Sequence, residues 1–104
     1  MNFDIDQVLK DMASAITGTV KEGAGDIKDA VEKIMDAEKE SLKELAEARL
    51  RGEIDDAVFK REIEREKLVV EAELLTISIM TKAMAQKAIN TAMDIFFKAV
   101  NAAI

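Results

Sequence analysis

Leu50–Arg51–Gly52–Glu53–Ile54–Asp55–Asp56–Ala57–Val58–Phe59 reads as the end of one helix and the start of another. Gly52 can take the left-handed conformation that closes a helix. Asp55 is a good N-cap, and Asp56 adds favourable negative charge to the first turn that follows. Ile54 and Phe59 stand just before the cap and four residues after it, the spacing of a hydrophobic staple. A turn at residues 51–55 therefore predicts two helical arms folded back on each other.

On the N-terminal side, apolar residues recur at three- and four-residue steps: Ile5, Leu9, Met12, Ile16, Val20, Ile27, Val31, Ile34, Leu42 and Leu45. That is helical periodicity rather than strand alternation. Many recur every eleven residues, as in Ile5/Ile16/Ile27 and Leu9/Val20/Val31/Leu42, so one apolar stripe runs almost straight along the arm. Gly23–Ala24–Gly25–Asp26 interrupts the pattern, and Asp26 could cap a new helix there. The eleven-residue phase carries across the interruption, however. It predicts a first arm over about residues 4–50 that is continuous or gently kinked at 23–26.

The second arm, about 56–104, matches the first in length, each spanning roughly 70 Å at ~1.5 Å per residue. Antiparallel pairing then brings together residues whose numbers sum to near 106. Glu38, at the centre of the first arm's apolar stripe, faces Lys67 as an interhelix ion pair of the kind that can help set register. Gly18, Gly23 and Gly25 fall opposite 81–88.

The charge is unevenly spread. Residues 68–104 hold only Glu71, Glu73, Lys82, Lys87, Asp94 and Lys98, so residues 1–67 carry the whole net charge of −6. Beyond residue 74 the second arm shows two apolar stripes. One includes Ile77, Met84, Ala88, Ala92, Ile95 and Ala99. The other is Leu75, Ile79, Ile89, Met93, Phe97, Val100 and Ile104, with Phe96 between them. A helix apolar around most of its circumference must be buried, and one partner arm covers one side only. The sequence thus predicts an all-α chain of one domain, 1–104: a long antiparallel helical hairpin that assembles into a four-helix bundle or larger helical oligomer. Leu75, Ile79, Ile89, Met93, Phe96, Phe97, Val100 and Ile104 form the expected interface, and a dimer is favoured.

The composition removes most alternatives. With no His and no Cys, the commonest general base and the soft metal ligands are missing. The i, i+4 carboxylates, such as Glu62/Glu66 and Asp36/Glu40, read as a solvated face. No catalytic residue, metal or cofactor is expected. A pI near 4.7 disfavours nucleic acid as a partner. The acidic start and the absence of a long uncharged run disfavour a signal peptide or membrane anchor, leaving a cytoplasmic protein as the expectation. The layout is similar to that of secreted helical-hairpin proteins of about this length with a Trp-x-Gly turn. Here the turn is Arg51–Gly52–Glu53 and the chain has no Trp, so the likeness stops at topology. The function expected is non-enzymatic self-assembly through residues 74–104. Two other readings use the same arm: a membrane-active protein exposing it to lipid, and a regulator whose arm takes up a helix of a different protein.

Overall fold

The computed structural model describes residues 3–20 and 24–104, the side chains of 24–26 excepted. Among the described residues four helices follow one another: α1 (Ile5–Thr19), α2 (Ala24–Leu50), α3 (Asp56–Leu74) and α4 (Lys82–Ala102). The starts of α1, α3 and α4 each have a side-chain cap for their first backbone donors. The Asp4 carboxylate accepts from the Asp6 and Gln7 N–H groups at 3.0 and 3.3 Å. The Asp55 carboxylate accepts from Val58 N–H at 2.9 Å, and the Thr81 hydroxyl from Met84 N–H at 3.2 Å.

The turn between α2 and α3 closes by a full Schellman motif. Glu53 N–H donates to the Ala48 carbonyl at 2.9 Å and Gly52 N–H to that of Arg49 at 3.2 Å. Gly52 sits at φ +76°, where a side chain is strained whatever space surrounds it. Gly52→Ala is therefore expected to cost about 1–2 kcal/mol, read as a lower urea midpoint with the m-value unchanged. Ile54 packs against the core, and Phe59 is fully buried within it.

The helices form an up-down-up-down bundle of 40 × 23 × 19 Å. α1 lies between α4 and α2, α3 closes the other side, and α2 and α4 barely meet across the diagonal. Phe3 meets Phe96 edge-on at 6.4 Å, and Phe59 stacks on Phe97 at 5.8 Å. The start of α1, the start of α3 and the end of α4 therefore share one end of the bundle. Along α1 and α2, Lys39 bridges Asp6 at 2.6 Å. That contact holds the Asp6 carboxyl below its ordinary range and raises the Lys39 ammonium.

The all-α class and the helical bundle hold, but the two arms do not run unbroken. The first arm ends at Thr19 and resumes at Ala24, before the Asp26 cap would have begun a helix. Gly23 lies outside the described residues. The second arm stops at Leu74 and restarts at Lys82. The crosswise pairing of the hairpin survives, since α1 still pairs with α4 and α2 with α3. The α1/α4 half is folded back onto the α2/α3 half, so the four layers come from one chain. Gly18 is not in a tight crossing, because a Cβ there would meet nothing within 4 Å. On α4 the small buried positions are instead Ala85, Ala88 and Ala92.

Candidate functional site

Folding the second arm back changes which apolar residues are available. Ile89, Met93, Phe96 and Val100, expected at an oligomer interface, are interior within one chain. Phe97 is half-buried, stacked on Phe59 with the Lys60 ammonium 5.8 Å above its ring. Most of the second stripe of α4 is thus covered within one chain. Leu75, Ile79 and Ile104 remain exposed.

The largest exposed apolar side chains gather on α3 and the turn after it. Phe59, Ile63, Val70 and Leu74 point inward from one face of α3. A helix of 3.6 residues per turn sends Arg61, Arg65, Leu68, Ala72 and Leu75 to the opposite face, with Val69 on its flank. Leu68 is 68 % exposed, Val69 46 %, Leu75 42 % and Ile79 45 %. Ala72 is exposed between them. Leu68, Ala72 and Leu75 follow one another along this face, and grouped exposed apolar residues mark interaction surfaces more often than scattered ones do.

Sequence reasoning passed over Leu68 and Val69. The signal was the run Leu68–Val69–Val70: three consecutive apolar residues cannot all lie on one stripe of a helix.

The seam between α2 and α3 is acidic. Glu38 is 9 % exposed. It does not meet Lys67, whose ammonium bonds Glu64 of its own helix at 3.0 Å. α2 and α3 pair a turn away from the simple hairpin register, which sets Glu38 beside Glu73. A hydrogen bond with Glu38, partial burial and the nearby charge of Glu38 push the Glu73 carboxyl up to about 7. Two turns before it on α3, Glu66 Oε2 is buried without a partner, as is Arg49 Nε on α2. None of these three carboxylates takes part in an ion pair among the described residues.

Two open grooves flank the helices. One, between α3 and α4, mixes Lys60, Arg61 and Lys67 with Glu64 and Asp94 over Met93 and Phe97. The other, between α1 and α2, sets Asp6, Lys10 and Lys28 around Leu9, Ala13 and Met35. Each holds charges of both signs. Among the described residues no group of three or more acidic side chains is placed to hold a metal ion. No described helix is long and apolar enough to cross a membrane. No protein-family model, curated protein or solved structure matches the chain.

Proposed function

We propose that the protein is a non-enzymatic interaction module that self-associates through the outer face of α3. The exposed ridge of Leu68, Val69, Leu75 and Ile79 supports this reading. It keeps two residues of the interface expected from sequence and moves its centre from α4 to α3. A patch of a few hundred Å² is common at functional surfaces of monomers, whereas a stable interface buries about 800 Å² per partner.

Sedimentation equilibrium over the micromolar to sub-millimolar range tests the proposal. Wild type should show a reversible shift in mass, and Leu68→Glu should remain a monomer at every concentration. Because Leu68 lies outside the core, the substitution should change folding stability by no more than about 0.5 kcal/mol. A wild type that sediments as a monomer throughout would end this reading.

A further inference from the structure

The chain reverses between α3 and α4 without the residues that usually impose a reversal. Leu75–Thr81 contains neither Gly nor Pro, and none of its residues has a positive φ. Short turn bonds hold it. Thr76 N–H donates to the Glu73 carbonyl at 3.1 Å, Ile77 N–H to that of Leu74 at 3.0 Å and Met80 N–H to that of Ile77 at 2.9 Å. Among the described residues, the N–H groups of Ser78, Ile79 and Thr81 donate to no backbone carbonyl. An uninterrupted helix would offer each of them a carbonyl four residues back. The side chains suit such a helix, because Val70, Leu74, Ile77, Met84 and Ala88 would share one face of it.

α4 is held to the rest of the bundle by packing rather than by polar ties. Among the described residues no ion pair or side-chain hydrogen bond joins α4 to another helix, and its one charged contact is the Lys60 ammonium over Phe97. α1, by contrast, is tied to α2 through Lys39 and Asp6. The seat that α1 and α3 make for α4 fits the α4 of a second copy equally well.

We propose that residues 75–81 are a hinge for exchange: α4 leaves its own chain, α3 and α4 run on as one helix, and each α4 docks on α1 and α3 of a second copy. The two long helices then lie antiparallel about a two-fold axis through 75–81. This goes beyond the face-to-face contact proposed above and needs none of it. Within one chain the short hinge keeps α4 at an effective concentration on the order of millimolar, so the closed chain prevails in dilute solution. The exchanged dimer forms where the protein folds at a comparable concentration. It then separates slowly, because α4 must undock first.

Refolding from urea at about millimolar protein, followed by size-exclusion chromatography, should yield a dimer that persists on dilution. Since the chain has no cysteine, Glu64→Cys and Asp94→Cys can carry a pair of nitroxides, and both positions line the groove between α3 and α4. Refolded with an excess of unlabelled chain, the pair should be close in the monomer. In the dimer it should lie about 45 Å apart, thirty residues of helical rise, by pulsed electron paramagnetic resonance. Thr76→Ala with Ser78→Ala, at exposed positions, favours the straight helix and should tighten the dimer about tenfold or more. Ser78 stands second in the turn closed by Ile77 and Met80, a place that proline favours. Ser78→Pro should therefore leave the monomer folded and weaken the dimer about a hundredfold or more, because proline interrupts the straight helix. A persistent dimer whose labels stay close would overturn the exchange, as would the absence of a persistent dimer from both wild type and the alanine variant. Self-association through the outer face of α3 stands or falls separately, on Leu68→Glu.

Discussion

Replacing Phe96 with alanine is expected to cost about 3–5 kcal/mol, the range for deleting a fully buried phenylalanine side chain. Natural domains have about 5–15 kcal/mol in total, so this one change should bring the protein to the edge of unfolding. Phe96 is fully buried and joins three helices: its ring meets Phe3 just before α1 at 6.4 Å and Phe59 on α3 at 6.0 Å. Chemical denaturation followed by circular dichroism measures the loss, which should be the same at any protein concentration because the contacts lie within one chain. Phe97→Ala, at a half-buried position, should cost clearly less. Equal losses at the two positions, or a loss for Phe96→Ala that disappears on raising the concentration, would contradict the intrachain core.

The second large effect is on pH. The Glu73 carboxyl is about 7 in the folded chain against an ordinary value of 4.5. The folded state therefore holds a proton that the unfolded state has released. Its contribution to stability is fully present below pH 4.5, declines as pH rises toward 7, and is gone above that. A difference of roughly 2.5 between the two values sets an upper limit of about 3 kcal/mol, reduced to the extent that water screens a half-buried group. Asp6 works in the opposite sense, since Lys39 holds it low and its contribution is lost only on acidification below about 4. Urea midpoints should consequently peak near pH 5 and fall toward pH 8. Glu73→Gln should flatten that fall and raise stability at pH 8, because an amide keeps the hydrogen bond to Glu38 without a second charge. A profile of Glu73→Gln that overlays wild type would show that the seam does not titrate in this range.

The turn at 51–55 was legible because each of its requirements falls on a distinct residue type: Gly52 for the positive φ, Asp55 for the cap, Ile54 and Phe59 for the contact across it. The break at 75–81 was not, because it uses neither Gly nor Pro. Thr76, Ile77 and Ile79 are β-branched and Ser78 competes for backbone hydrogen bonds, each a weak discouragement to helix. Together with the Thr76 hydroxyl bonding the Glu73 carbonyl at 2.6 Å and the Thr81 cap, they end one helix and start the next. The eleven-residue phase misled for a different reason. Ile16 and Ile27 are both buried although they lie on different helices. Every helix of a bundle presents its apolar side to the same core, so inward phase is preserved whether a chain runs straight or doubles back. The candidate surface on α3 was hidden by the same error. A second arm that needed covering by another molecule drew attention to residues 89–100, which the chain covers itself, and away from 68–69, which it leaves open.

α1 makes its largest interface with α4, the first helix of the chain with the last. During synthesis, Leu9, Met12 and Ile16 leave the ribosome long before Ala88, Ala92 and Phe96 exist. α2 can shelter one flank of α1 in the interval, but the other stays open until α4 emerges. The α2–α3 turn, by contrast, closes over five residues and can form while translation continues. Folding is thus expected to start at the α2–α3 turn and finish by docking α1 on α4. That last step brings together the segments farthest apart in sequence, the most costly loop closure for a chain of this length.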